Sequence, residues 1–245
     1  MEDIKRMYFS QTALRTYMSC PLKFKNRYIE GLYWNFDSPA AREGREFHLD
    51  AKRHFLNLPL SGHNGDLIAT MADFVPVESG KEYLPEFSLR HNNGNIKIMA
   101  KYDLVVVGET VEIYDWKTES ARPNAEKLRD DIQTRLYLYT MAAAGKTIKE
   151  DIRPSDISIT YFNPSYPSSP VRIDYDSYRF EKDEIKISGL VSQILKDTEF
   201  KPTDDRRKCA YCEYNRLCNG KPVSLDSVDD QDFELSWDDI EEISF

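Results

Sequence analysis

The sequence predicts an α/β protein with a small mixed central β-sheet flanked by helices. Three observations predict it. Residues Lys97–Val107 and Val111–Thr118 are β-type runs on either side of a tight turn at Gly108-Glu109, which reads as a hairpin. Apolar residues at helical period occur before, between and after the β-type runs, which favours layers over a separate helical block. The 245 residues suit one sizeable domain or a domain with an appendage, and 15 Tyr, 12 Phe and 3 Trp against 10 Gly can fill a core.

Taken in order, Ser10–Tyr28 reads as a helix with Ser10 as N-cap and Leu14, Tyr17 and Met18 at helical spacing. It meets Cys20-Pro21 and resumes toward Gly31. A second helix runs from about Pro39 to Leu56, with Ala41, Phe47 and Phe55 turned inward and His48 at its middle. Residues 57–77 mix loop and helix signals. Strands begin at Glu86–Arg90 and turn at Asn92–Asn95 into the hairpin. Asn124–Ala144 predicts a long amphipathic helix, because Leu128, Ile132, Leu136 and Tyr139 repeat near the helical period. Gln133 and Tyr137 lie one turn apart on it, hence on one face. Ile157–Phe162 is a strand, Asn163–Pro170 a Pro/Ser loop and Val171–Tyr175 a further strand. Asp183–Asp197 is the last major helix, capped by Asp183. There is no internal repeat and no Rossmann or Walker glycine pattern.

The hairpin carries the chemistry. Each strand holds one aspartate, Asp103 and Asp115, and Lys117 follows the second by two residues, which puts it on the same side as Asp115. Pairing across Gly108-Glu109 brings Asp103 near them. An isolated Asp-x-Lys is usually an exposed charge pair. Here the charges interrupt the apolar runs Leu104–Val107 and Val111–Tyr114, and ions beside a core are costly unless paired or metal-bound. Two carboxylates and an ammonium at one point suit a divalent metal and a charged transition state.

The four cysteines form a second constellation. Cys209, Cys212 and Cys218 make C-x2-C-x5-C, and Cys20 lies far upstream. Short cysteine spacings in a reducing compartment point to metal, either tetrahedral zinc or an iron–sulfur cluster. Zinc normally uses paired C-x2-C knuckles, whereas three local ligands and one remote lean toward [4Fe–4S]. A shared cluster would staple the first helix to the C-terminal segment and close a loop of nearly the whole domain.

Charge is unevenly placed along the chain. The net charge is −9, yet residues 222–245 hold nine of the 42 acids and no Lys or Arg, leaving 33 acids against 33 bases in residues 1–221. Those two segments are the expected body and its acidic tail. Basic clusters at Lys23/Lys25/Arg27, Arg42/Arg45 and Arg206–Lys208 can meet phosphates. The tail reads as a solvating segment. Its Trp237, Ile240 and Ile243, at near-helical spacing, could instead dock on the body or a partner. No apolar run approaches the roughly 20 residues of a membrane span, and the start lacks a secretory signal. A cytoplasmic, reducing location without disulfides is therefore expected.

Together, Cys20-Pro21, the helical His48, Asp103, Asp115-Trp116-Lys117, Gln133-x-x-x-Tyr137 and the C-x2-C-x5-C group resemble, in this order, the RecB-like nucleases of the PD-(D/E)xK superfamily. The likeness spans residues 8–220 and is nearest the iron–sulfur branch, which includes the AddB nuclease domain and CRISPR-associated RecB-like exonucleases. It implies a restriction-endonuclease-like core with an iron–sulfur staple. His48, Asp103, Asp115 and the Trp116 carbonyl would be ligands for Mg²⁺ or Mn²⁺. Lys117 would orient the attacking water, and Gln133 and Tyr137 would steady the site and contact DNA, with Glu86 assisting nearby. Cys20, Cys209, Cys212 and Cys218 would hold the [4Fe–4S] cluster, with zinc as the alternative. The implied activity is a metal-dependent DNA exonuclease acting on single-stranded ends, with CRISPR integrase or recombination proteins as partners. The rivals are a non-catalytic iron–sulfur DNA-binding scaffold and a zinc-stapled nuclease. The family often has glycine three residues before the first aspartate; Ala100 stands there, which would narrow the strand's approach to DNA.

Overall fold

A computed structural model describes residues 3–33, 39–94 and 96–222. The acidic tail expected from residue 222 onward therefore lies almost wholly outside the described residues. The chain divides into two compact units, residues 1–42 with 189–245, and residues 43–188. The second holds the sheet.

In the first unit, helix α1 (Gln11–Ser19) starts where predicted, with the Ser10 side chain accepting from the Ala13 N–H at 3.2 Å. Cys20 is extended, and Pro21 occupies the first turn of α2 (Pro21–Phe24), a position that needs no N–H. A five-residue π-helix, Lys25–Ile29, follows. Phe24 sits fully buried among the rings of Phe9, Tyr17, Tyr28 and Phe200. The N- and C-terminal segments of this unit are tied by Leu22 N–H to Lys201 O at 3.3 Å and by Tyr17 OH to Asp197 Oδ2 at 2.8 Å. Glu213, fully buried, lies 3.0 Å from Lys23 and 3.6 Å from Arg27.

Helix α3 (Pro39–Phe55) leads into the second unit. The ambiguous stretch 57–77 contains helix α4 (Gly65–Phe74), which begins at a glycine and so lacks a strong start signal. The sheet is built from β1 (Glu82–Asn92), β2 (Lys97–Val107), β3 (Val111–Trp116), β4 (Ile157–Phe162) and β5 (Val171–Asp174), in that order across the sheet. Only β3 and β4 pair in parallel, which makes the sheet mixed as expected. Parallel neighbours need a crossover. It runs through α5 (Ala125–Asp130) and α6 (Ile132–Ala144), and α6 packs on β1, β2 and β4.

The predicted single helix over 124–144 is thus two. Asp131 breaks it with an extended ψ of 144° and caps α6 by accepting from the Gln133 N–H at 2.8 Å. An Asx cap competes with helix continuation, and amphipathic spacing does not register it. The last predicted helix also differs: α7 runs Ser177–Lys196, so Asp183 is not its cap. Asp183 is buried within it, 2.5 Å from Arg135 Nη1 and accepting from Tyr175 OH at 3.1 Å. That pairing makes a mid-helix buried carboxylate tolerable, while burial pushes its pKa up.

Two cores cover the sheet. On the α6 face, Tyr102, Val105, Val111, Ile113, Ile159 and Tyr161 pack against Tyr137, Leu138 and Met141. On the other, Leu104, Val106, Trp116 and Phe162 pack against Phe47, Ala51, Ile68 and Met71 of α3 and α4. Among the described residues, no helix is long and apolar enough to cross a membrane.

Candidate active site

A regular strand keeps one face for every second residue. In β2, Ala100 and Tyr102 belong to the α6-side core, but Leu104 and Val106 belong to the opposite one and Val105 to the α6 side. The alternation therefore slips by one residue at Asp103. The same slip occurs in β1, where both Leu84 and Phe87 pack on the α6 side. Between them stands Glu86, in the left-handed region at φ +54°, with Pro85 before it. A non-glycine residue there stores on the order of 1–3 kcal/mol. The β1–β2 ladder pairs Pro85 with Leu104 and Phe87 with Tyr102, so Glu86 faces Asp103 across the interruption. Leu104 pairs with Tyr114, and the same register continued by one residue puts Asp115 on the other side of Asp103. Three carboxylates thus lie in a row across three adjacent strands. Like charges directly opposed destabilise a sheet, so such a row calls for positive charge.

Helix α3 and the end of β3 supply it. Gly44 lets α3 come close: a Cβ there would lie 3.0 Å from Thr118 Oγ1. One turn later, His48 Nδ1 reaches Asp103 Oδ1 at 3.2 Å. Asp103 Oδ2 accepts from the Trp116 N–H at 2.6 Å. Burial works to raise the Asp103 pKa, but His48, that N–H and the Lys117 ammonium outweigh it and hold the carboxyl below its ordinary value. Atoms of His48, Glu86 and Asp103 lie within 4.8 Å of one another, a separation one cation can span. Two carboxylates and an imidazole suit a hard or borderline divalent ion, so the donor set fits the predicted Mg²⁺ or Mn²⁺. Glu86 also faces Lys101 at 2.8 Å.

Asp115 is fixed beside this triplet. Its Oδ2 lies 2.7 Å from Lys117 Nζ, the same-side pairing expected of Asp-x-Lys, and its Oδ1 accepts from Gln133 Nε2 at 2.7 Å. Gln133 Oε1 in turn accepts from Lys117 Nζ at 3.3 Å, closing a ring of three side chains. The ammonium stands 5.3 Å from the Tyr161 ring centre. The cap at Asp131 orients the first turn of α6 and so aims Gln133 at β3.

Two expectations need correction. Tyr137 is buried at 3 % exposure and packs on Tyr102 at 5.0 Å between ring centres, so it steadies the core and has no face for DNA. Ala100 is fully buried in the α6-side core, so it does not bear on the strand's approach to DNA. Trp116 contributes its N–H to Asp103 and its ring to the α3-side core.

In the first unit, Cys20, Cys209 and Cys212 are partly buried and Cys218 is exposed. Cys20 Sγ accepts from the Thr203 N–H at 3.3 Å. Burial raises the Cys212 pKa to about 12, with Glu213 and Cys20 adding to it and Lys23 opposing. Burial, Cys20 and Cys209 raise that of Cys218. Cys20 is therefore within electrostatic reach of Cys212 and Cys218, and Cys209 of Cys218. Among the described residues no three of them lie within 4.8 Å of one another.

The helix-flanked mixed sheet thus gathers carboxylates and an ammonium at its central strands beside an imidazole from α3, a donor set that could hold a divalent cation. Comparison with known families is specific: the PD-(D/E)XK nuclease superfamily matches residues 8–79 and 66–219, and the chain belongs to it. Nucleases of this superfamily use divalent metals. A solved structure named "Putative exonuclease" from Eubacterium rectale shares the fold at 16 % identity and TM-score 0.54, covering 89 % of this chain and 91 % of that one. An alkaline exonuclease from Laribacter hongkongensis aligns at 12 % identity and TM-score 0.37, over 77 % and 88 % of the two chains. No curated protein matches.

Proposed function

We propose that this protein is a DNA exonuclease that hydrolyses phosphodiester bonds at single-stranded ends, with Mg²⁺ or Mn²⁺ bound by His48, Glu86 and Asp103 and bordered by Asp115. The observation that carries the reading is the row of three carboxylates with an imidazole at one end and Lys117 beside it. A divalent ion there would lower the pKa of a water and offset charge on the phosphate. Lys117 adds a fixed positive charge where negative charge develops on the phosphoryl oxygens. Gln133 holds Asp115 and Lys117 together, so the ammonium does not swing away between turnovers. His48 and the Trp116 N–H keep Asp103 ionised and aimed.

In the first unit, the same reading assigns Cys20, Cys209, Cys212 and Cys218 to a structural [4Fe–4S] cluster. The pattern of one remote and three local cysteine ligands supports a cluster over a single ion.

The direct test offers linear and circular single strands of one sequence, with Mg²⁺, Mn²⁺ or EDTA. Degradation of the linear strand alone, abolished by EDTA, is the expected result. Cutting of the circle would overturn the exonuclease assignment. No cutting of either, with any metal, would return the protein to a DNA-binding scaffold. Anaerobic purification tests the cluster: a brown protein absorbing broadly near about 400 nm is expected, and a colourless one with stoichiometric zinc overturns it.

A further inference from the structure

Away from the carboxylate row, α5, α6 and α7 enclose a cleft of about 170 Å³ lined by four cationic side chains, two acids and a tyrosine. That is room for about six waters at the volume each occupies in the liquid. Both acids are already engaged: Arg135 forks between Asp183, 2.5 Å from Nη1, and Asp130, 2.6 Å from Nη2. Of the other three cations, Arg179 and Lys182 are held in place by neutral groups, with Asp183 also within electrostatic reach of Arg179. Arg179 donates to the carbonyls of Arg129, at 3.0 Å, and Asp174, at 3.4 Å. Lys182 Nζ lies over the Tyr178 ring at 4.2 Å. Arg129 is exposed at the end of α5. Carbonyls and a ring fix a cation in place without cancelling its charge, so the cleft presents positioned positive charge to an anion. Asp176, beside the cleft in sequence, is engaged in capping α7 at the Arg179 N–H, 2.7 Å away. Tyr178 is 65 % exposed, which leaves its ring available to an incoming planar group.

We infer that this cleft is a second nucleic-acid subsite, in which Arg129, Arg179 and Lys182 hold phosphodiesters of the substrate strand and Tyr178 stacks a base upstream of the bond being cut. The inference rests on the proposed nuclease reading. Helix α6 joins the two places: Gln133 serves the carboxylate row, and Arg135, two residues on, projects from the opposite face into the cleft. A helix is about 10–12 Å across, which at about 3.4 Å per stacked nucleotide puts the cleft about three to four nucleotides from the scissile bond. Arginine, lysine and tyrosine read backbone charge and base faces and no particular sequence, as binding of a strand regardless of its sequence requires.

The test is binding of fluorescein-labelled oligo-dT in EDTA, where hydrolysis does not interfere, read by anisotropy over a range of NaCl concentrations. For the 12-mer, Arg129→Ala with Lys182→Ala should weaken affinity about tenfold and flatten the log K against log[salt] slope by about 1.4, since each phosphate contact on a single strand contributes about 0.7. Tyr178→Ala should weaken it about fivefold or more with the slope unchanged. A trimer, too short to span the cleft and the active site together, should bind the wild type far more weakly than the 12-mer. Arg129, Tyr178 and Lys182 are all exposed, and an unaltered melting temperature confirms that the variants fold. Should Arg129→Ala perturb it, Lys182→Gln alone carries the test, with a slope change of about 0.7. Wild-type affinity and slope in the variants overturn the inference, as does failure of the wild type to bind the 12-mer. A wild type that binds through this cleft but cuts nothing in Mg²⁺ or Mn²⁺ sinks the nuclease reading and leaves the cleft standing.

Discussion

Replacing Glu86 with glutamine should move stability and metal affinity in opposite directions. Glu86 and Asp103 oxygens lie within 4.8 Å of each other. Two full charges that close would repel by about 3 kcal/mol at an effective dielectric near 20. Cross-strand pairs in sheets are worth only about 0.2–1 kcal/mol each, and like charges directly opposed are destabilising, so the net repulsion is taken on that smaller scale. Here His48 stands 3.2 Å from Asp103 and Lys101 stands 2.8 Å from Glu86. Glu86→Gln removes the repulsion and weakens the Lys101 contact, so metal-free protein should melt level with wild type or up to about 4 °C higher. Losing a ligand should raise the metal Kd at least about tenfold. With Mn²⁺ at about 100 times the wild-type Kd, wild type gains about 2.7 kcal/mol and the variant about 1.4. For a chain this size those gains are shifts of about 5–11 °C and 3–6 °C. Melting curves with and without Mn²⁺ measure both arms. An equal Mn²⁺ shift in the two proteins would show that Glu86 does not bind the ion, and the strained backbone at φ +54° would need another explanation.

Three further outcomes follow from the same geometry. Gln133→Ala frees Asp115 and Lys117 from each other's geometry and should lower kcat about tenfold or more; as a buried hydrogen-bond loss it should also cost about 1–3 kcal/mol of stability. Gly44→Val puts a side chain against Thr118, where even a Cβ stands at 3.0 Å, and should lift α3 and His48, raising the metal Kd and costing about 1–3 kcal/mol. Calorimetric titration and denaturant melts check both. Tyr17, Tyr114 and Tyr139 have pKa values raised by burial and neighbouring carboxylates to about 12. The unfolded chain ionises first, near 10, so their contribution is complete below that pH and is lost as pH rises toward 12. The melting temperature should therefore fall steeply between those values and not between 8 and 9.

Much of the site was legible because its residues obey local rules. The hairpin of β2 and β3 follows from two β-type runs around Gly108, and Asp115 and Lys117 share a side because a strand alternates. The Cys20-Pro21 break follows from the chemistry of proline. The position of Glu86 in the site depends on a slip of register parity, and such a slip leaves no periodic trace in the sequence. Pro85-Glu86 interrupting a strand pattern is the one signal that could have raised it. Asp183 looked like a cap because Asp caps helices, yet Arg135 and Tyr175, distant in sequence, hold it inside one. Tyr137 shares the Gln133 face as the helical period requires, but the period does not say which part of that face meets solvent.

The account stands on Lys117 acting at a metal-bearing carboxylate row, and Lys117→Met tests it most directly. Rates on a labelled linear single strand in saturating Mn²⁺ should fall on the order of 100- to 1,000-fold, the usual cost of one charge-stabilising group, while Mn²⁺ still binds. Equal rates in the variant and the wild type would contradict it.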